Sequence, residues 1–187
     1  MKKMNFKDIF KSAIPLAIIC IVISFLLAFL NLSTKSTIEK EKNLENENAR
    51  KTGLSDASRF EECKIEDIEY YKGFTGDNLI GYVFFTDSKG YGGKIEVMTG
   101  ISSDGTIKGI SILSQNETPG LGATVKNDTF KNQFNKKIPS GGFNIVKNSA
   151  SKNSEIEAIT GATISSKAVT SCVNEAIKLY NKINLEN

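Results

Sequence analysis

The segment from Glu157 to Tyr180 reads EAITGATISSKAVTSCVNEAIKLY, and it joins a run of small and hydroxyl residues directly to an amphipathic pattern. After Ser166, apolar residues recur at spacings of three and four, at Val169, Cys172, Val173, Ala176, Ile177 and Tyr180. This spacing places them on one face of a helix that begins near Ser165 and covers about residues 165–183. We therefore predict a closing helix whose apolar face packs on a core.

The start of this helix is a candidate binding site. The first turn of a helix has free backbone N–H groups and a partial positive charge, which favour an anion such as a phosphate. The residues in this position are Thr160, Gly161, Ala162 and Thr163. The alternative is an ordinary N-cap, in which Thr163, Ser165 or Ser166 accepts a backbone hydrogen bond. The stretch alone leaves both interpretations open.

The chain before this helix has the pattern of a β-sheet. Short runs rich in β-branched and aromatic residues predict strands at 79–86, 93–101, 107–113 and 143–147. The sequence SSDGT at 102–106 has the Asp-Gly signature of a hairpin. A helical pattern follows at 128–137. Together these elements predict an α+β domain, in which helices pack on an antiparallel sheet.

Two glycine-rich loops interrupt the predicted strands. In QNETPGLGA, residues 115–123, Pro119 fixes one backbone angle, and Gly120 and Gly122 allow conformations that other residues avoid. In GYGGK, residues 90–94, Tyr91 is able to stack on a flat ring. Both loops are suited to close approach of a ligand, although ordinary turns have the same composition.

The N-terminal segment predicts a membrane anchor. No charge occurs between Ala13 and Leu32, which is about the length that crosses a bilayer as a helix. A cleaved signal peptide is the alternative, but the small-residue cleavage site is missing. Lysines crowd residues 1–12, so we expect these to be cytoplasmic. Residues 33–57 are polar and predict a linker or solvated helix, and residues 58–187 an extracytoplasmic domain.

Composition excludes several kinds of chemistry. The 187 residues carry a formal net charge of +3, and the basic residues are scattered, so nucleic acid is not an expected partner. There is no histidine, which excludes Ser-His-Asp catalysis and the commonest transition-metal ligand. Cys20, Cys63 and Cys172 form no Cys-x-x-Cys pair, so we expect no metal. Cys20 and Cys172 are expected to be small buried hydrophobes, and a Cys63–Cys172 disulfide is conceivable.

The order of these features resembles an FMN-binding subunit family. That family includes the G subunit of the Rnf electron-transport complex and the C subunit of the Na⁺-translocating NADH:quinone reductase. The resemblance covers an N-terminal membrane helix, then GYGGKIEVMTGISSDGTIKGISIL, then ETPGLGA, and then TGATISS at the start of the last helix. The compact chain favours the Rnf member over the quinone reductase member.

The resemblance implies a covalent cofactor. In the family, a flavin transferase joins FMN through its phosphate to the last threonine of a motif that here reads TGAT, which implicates Thr163. Glu157 stands where the family usually has aspartate. The remaining cofactor-binding candidates are Thr160, Gly161, Ala162, Ser165 and Ser166 around the attachment, and Tyr91, Glu117, Thr118, Gly120, Leu121 and Gly122 in the glycine-rich loops.

Three functions fit the sequence. The resemblance implies an electron-relay subunit in a membrane complex that connects ferredoxin and NAD and moves Na⁺ or H⁺, with other membrane subunits as partners. In that case the flavin carries out the redox chemistry, and no catalytic residue of the chain itself is needed. A stand-alone membrane-tethered flavin reductase is the second possibility. The third is a tethered binding or sensor domain without redox chemistry.

Overall fold

The computed structural model describes residues 6–65 and 68–186. Contacts divide the chain into two units, residues 1–44 and residues 45–187. The first described residues form helix α1, Phe6–Gly53. Residues Ala13–Lys35 of this helix have a mean hydropathy of 2.9, none of them is buried, and they are long and apolar enough to cross a membrane. The predicted apolar span at 13–32 lies inside this segment.

A five-stranded antiparallel sheet forms the centre of the second unit. Its strands lie in sequence order, so that each strand pairs with the next one along the chain. They are β1 Arg59–Ile65, β2 Ile68–Thr75, β3 Asn78–Lys89, β4 Lys94–Ser102 and β5 Ile107–Ser114. The predicted hairpin at 102–106 joins β4 to β5, where Ile101 pairs with Ile107. The α+β fold with an antiparallel sheet is thereby confirmed.

The two faces of the sheet bury different side chains because neighbouring residues of a strand point to opposite faces. Phe84 and Val97 lie in the larger core, while Val83 and Met98 lie in a smaller cluster. The larger core is completed by helix α3, Thr163–Glu186, which packs on β3 and β4. Each aliphatic side chain that is fully buried in this way contributes about 1.5–3 kcal/mol.

The end of α1 and the residue that follows it pack on the smaller cluster. Ala49 and Leu54 are buried there beside Val83 and Met98. The backbone of Gly53 passes so close to β4 that a Cβ on Gly100 would collide with it. Residues 45–57 therefore belong to the second unit, with Ala49 and Leu54 in its smaller cluster, and the polar segment is helical up to Gly53.

The segment that follows β5 is less helical than predicted. In place of one helix at 128–137 the structure has a 3₁₀ turn, Gly122–Lys126, then helix α2, Asp128–Lys131, and a second 3₁₀ turn, Asn132–Phe134. The helix ends early because the Lys136 carbonyl accepts a hydrogen bond from the Ile107 amide (3.0 Å), so the chain runs alongside β5 instead. Phe130 and Phe134 remain buried in the core.

Two short strands and α3 complete the second unit. Strands β6, Asn144–Val146, and β7, Glu155–Glu157, pair in parallel. Cys172, on α3, is fully buried as predicted, whereas Cys20 is exposed on the apolar segment of α1 and is not the buried residue that the sequence predicts. The three cysteines are free thiols, so Cys63 and Cys172 are not joined.

Candidate functional site

An open pocket of about 520 Å³ lies at the start of α3. Three loops that are far apart in the sequence contribute to it: the β3–β4 turn, the loop after β5, and the segment that enters α3. The lining residues are Tyr91, Glu117, Thr118, Leu121, Gly122, Gly161, Ala162, Thr163, Ile164 and Ser165.

The turn before α3 and the first turn of that helix contribute residues 161–165 to the lining of this pocket. Gly161 has a φ of 77°, which other residues rarely adopt, and the next amide, that of Ala162, donates to Ile159 O (2.9 Å). The first hydrogen bond of the helix runs from the Ser166 amide to Ala162 O (3.0 Å). The amides of residues 163–165 precede that bond, so they belong to the electropositive end of the helix.

The hydroxyl groups at this end have different surroundings. Ser166 is fully buried; its Oγ accepts from the Ile159 amide and donates to Ala162 O, both at 3.0 Å. Ser165 is 2% exposed and donates to Glu117 Oε2 (2.5 Å). Thr163 is half-buried in the pocket wall, and its hydroxyl makes no hydrogen bond within the described part of the chain. The two serine hydroxyls are therefore occupied by hydrogen bonds within the protein, and among the described hydroxyl groups of the first turn of α3 only that of Thr163 has no such partner.

Glu117 forms the floor between the loops. Its side chain is 5% exposed, and its Oε1 accepts a hydrogen bond from the Gly92 amide (2.9 Å) while Oε2 accepts from Ser165. A Cβ on Gly122 would lie 2.5 Å from both Glu117 Oε2 and Ser165 Oγ. The glycine is needed at this position because these two side chains fill the space.

Apolar side chains form the rim. Tyr91 is 73% exposed, Ile164 54% and Leu121 47%. Large apolar groups with this exposure are available to contact the flat face of a ring system. The pocket thus combines an apolar rim with polar amides at one end, which suits a ligand that has an apolar ring at one end and an anion at the other.

The structure brings most of the predicted site residues together. Nine of the lining residues were candidates from the sequence. Three other candidates are elsewhere: Thr160 is exposed and lines a second pocket, Ser166 is buried beneath the turn, and Gly120 is exposed outside the pocket lining. Sequence reasoning missed Ile164 and Gly92. Ile164 lies off the buried face of α3, and an apolar residue in that position was the available signal.

The second pocket has a similar volume, about 530 Å³. It lies between the α2 segment and the chain that leads from β7 to Thr160. Gln133 forms hydrogen bonds with both backbone polar groups of Glu157 in the pocket wall. The Glu157 amide donates to Gln133 Oε1 (2.7 Å), and Gln133 Nε2 donates to Glu157 O (3.3 Å). The Glu157 side chain itself is exposed.

Comparison with known protein families shows which class of domain the chain contains. Residues 90–178 match the family model described as an FMN-binding domain. This range includes both glycine-rich loops and the segment that enters α3, so it contains every residue that lines the first pocket.

Full-length relatives then define the family. The chain is 37% identical to the G subunit of the Na⁺-translocating ferredoxin:NAD⁺ oxidoreductase complex of Acetobacterium woodii, over 97% of this chain and 96% of the relative. It is 36% identical to the G subunit of the proton-translocating ferredoxin:NAD⁺ oxidoreductase complex of Clostridium ljungdahlii, over 91% of each. The crystal structure of the C subunit of the Na⁺-translocating NADH-quinone reductase from Parabacteroides distasonis is 29% identical over 56% of each chain, with a TM-score of 0.48.

The chain belongs to the family of G subunits of ion-translocating ferredoxin:NAD⁺ oxidoreductase complexes, the Rnf type. The family predicted from the order of motifs in the sequence is confirmed.

Proposed function

We propose that this chain is the membrane-anchored flavoprotein subunit of an Rnf-type complex, and that it relays electrons through FMN esterified to Thr163. The observation that carries the attachment is the position of the Thr163 hydroxyl. It lies in the pocket wall on the first residue of α3, inside the matched FMN-binding region, without a hydrogen-bond partner among the described residues.

The residues of the first pocket fit FMN. Its volume of about 520 Å³ is in the range of small-molecule sites. The amides of residues 163–165 would hold the phosphate, since helix N-termini favour anions. Tyr91, Leu121 and Ile164 would contact the ring system, because they are the exposed apolar side chains of the lining. When bound, the flavin supplies the electron-transfer chemistry.

Attachment at Thr163 requires a flavin transferase, which is the second proposed partner beside the membrane subunits. In the net reaction the Thr163 Oγ1–phosphorus bond forms, the hydroxyl proton leaves, and the leaving group of the activated FMN donor departs. The phosphate of free FMN, a monoester, carries about 1.5–2 negative charges, whereas the phosphodiester at Thr163 would carry one. A covalent bond retains the cofactor even where free flavin is scarce.

Attachment is tested by removing candidate hydroxyls one at a time. Thr163→Ala, expressed with its transferase, should show no flavin fluorescence on a denaturing gel, whereas Thr160→Ala should show the wild-type signal. Thr160 is the matched control because it lies three residues earlier in the same motif, is exposed, and lines the other pocket. Fluorescence that persists in Thr163→Ala and disappears in Thr160→Ala would reassign the attachment.

The membrane anchor is proposed to be α1, with the second unit outside the cytoplasm. The support is the apolar segment Ala13–Lys35 and the lysine-rich residues before it. Protease added to intact spheroplasts should digest the second unit. Digestion in inverted vesicles alone would place it in the cytoplasm instead.

A further inference from the structure

We infer that Glu117 is a positioning residue that joins the three loops of the pocket and so fixes where Tyr91 lies relative to Thr163. The inference rests on the proposed function, because it assigns Glu117 a role toward the flavin without contact to it. Both oxygens of its carboxylate are already used within the protein, one by the Gly92 amide and the other by the Ser165 hydroxyl.

The loop geometry depends on this side chain at each point of contact. The Glu117 amide donates to Gln115 Oε1 (2.6 Å), which holds the residue inside its own loop. A Cβ on Gly90 would collide with Glu117 Oε1, and one on Gly122 would lie 2.5 Å from Oε2. The carboxylate therefore fills space that one glycine leaves open on the β3–β4 turn and another leaves open in Glu117's own loop.

The contacts connect opposite sides of the pocket. Gly92 follows Tyr91 in the β3–β4 turn, and Ser165 lies two residues after Thr163 in the first turn of α3. A single side chain, that of Glu117, hydrogen-bonds to both of these segments. Loss of the Glu117 contacts should release the Tyr91 turn from the helix while the sheet and α3 remain packed.

Two substitutions test separately whether the Glu117 side chain acts through its reach to both hydrogen-bond partners or through its negative charge. Glu117→Gln keeps the length: its amide oxygen can accept from Gly92, its NH₂ group can donate to Ser165 Oγ, and the carboxylate is lost. Glu117→Asp keeps the carboxylate but is one methylene shorter, so it cannot reach both partners. The control is Asn174→Ala, since Asn174 similarly bonds the Phe143 amide (2.8 Å) and carbonyl (2.9 Å) away from the pocket.

The first measurement uses hydrogen exchange on the flavin-free full chain in detergent. In Glu117→Asp the Gly92 amide should exchange about tenfold faster than in the wild type, as expected for one lost hydrogen bond. Glu117→Gln and Asn174→Ala should keep the wild-type rate at Gly92. Because no flavin is present, this result stands or falls independently of attachment at Thr163.

The second measurement is the visible circular dichroism of the flavin-loaded protein, which reports how the ring is held. Glu117→Asp should lose most of the wild-type signal, Glu117→Gln should restore it, and Asn174→Ala should leave it unchanged. A wild-type spectrum and exchange rate in Glu117→Asp would overturn the inference. The same defect in Glu117→Gln as in Glu117→Asp would also overturn it, because charge and not reach would then be decisive.

Discussion

Two pockets of nearly equal volume, about 520 and 530 Å³, are lined by the segment that enters α3, and they differ in what lines them. The first contains the helix amides, an exposed apolar rim and the Thr163 hydroxyl. The second is lined by α2, by residues 149–150 and by Glu157, whose backbone is hydrogen-bonded to Gln133. Volume therefore does not identify the cofactor site; the chemistry of the lining does.

The difference also shows how each wall is supported. In the first pocket a buried carboxylate joins three loops, so a substitution there changes the positions of several lining residues. In the second, an amide side chain pairs with a single residue's backbone, so a substitution has a local effect. Substitutions in and near the two pockets should reveal this contrast.

The largest effect is expected from Gly122→Val in the first pocket. The added side chain would begin 2.5 Å from Glu117 Oε2 and Ser165 Oγ, so it must break their hydrogen bond. Overpacking of this kind costs about 1–3 kcal/mol of the free energy of unfolding. We expect loss of the wild-type flavin absorption spectrum together with a lower urea midpoint.

Gly120→Val is the matched control, two residues earlier in the same loop. A Cβ on Gly120 meets no atom within 4 Å, although its φ of 76° makes the substitution strained. It should cost stability but keep the flavin spectrum. If the two valine variants had the same spectrum, the pocket floor at Gly122 would not contribute to flavin binding.

A smaller effect is expected from Gln133→Ala in the second pocket. The variant loses both hydrogen bonds to the Glu157 backbone, each worth about 0.5–1.5 kcal/mol. Exchange of the Glu157 amide should become faster, while the visible circular dichroism of attached flavin should match the wild type. A changed flavin spectrum in Gln133→Ala would show that the two pockets are not independent.

The smallest effect concerns Cys172, on the buried face of the α3 helix whose start forms the first pocket. Burial raises the pKa of its thiol to about 12. The unfolded chain therefore loses this proton near the ordinary value of 9, while the folded protein keeps it until about pH 12. The thiol's contribution to stability is complete below pH 9 and is lost as the pH rises toward 12.

Urea unfolding of the flavin-free chain at pH 8 and pH 10 checks that the stability contributed by the Cys172 thiol falls as the pH rises. Between these pH values the wild type should lose about 1.4 kcal/mol more of its free energy of unfolding than Cys172→Ala does. The comparison of two proteins cancels the titration of the lysines and tyrosines that they share. An equal loss in both would show that the Cys172 thiol is accessible to water in the fold.

Local patterns in the sequence were sufficient for much of the fold. The period-three and period-four spacing after Ser166 predicts α3, and Asp-Gly at 104–105 predicts the β4–β5 hairpin, because both signals depend on neighbours in the chain. Strand β1 was missed because charged, exposed side chains occupy much of it, and β2 was missed although its aromatic residues are a strand signal. The helix at 128–137 was overextended because pairing with β5 decides where it ends.

The sequence indicates which residues belong to the candidate site, but it does not indicate how they are arranged in space. Glycines, Glu117 and Thr163 stand out in the sequence, whereas the contact between Glu117 and Ser165 joins residues 48 positions apart. The same limit applies to Thr160, which shares the motif with Thr163 but faces the other pocket. Which side of a turn a residue occupies depends on tertiary packing, and no local pattern records it.

Peptide mass spectrometry of the wild-type protein tests the attachment most directly. Trypsin cleavage after Lys152 and Lys167 releases residues 153–167, which contain Thr160, Thr163, Ser165 and Ser166 together. The account predicts that this peptide carries the mass of one FMN less one water, and that fragmentation places the increment on Thr163. An increment on any other residue, or an unmodified peptide from protein that retains flavin after denaturation, would contradict it.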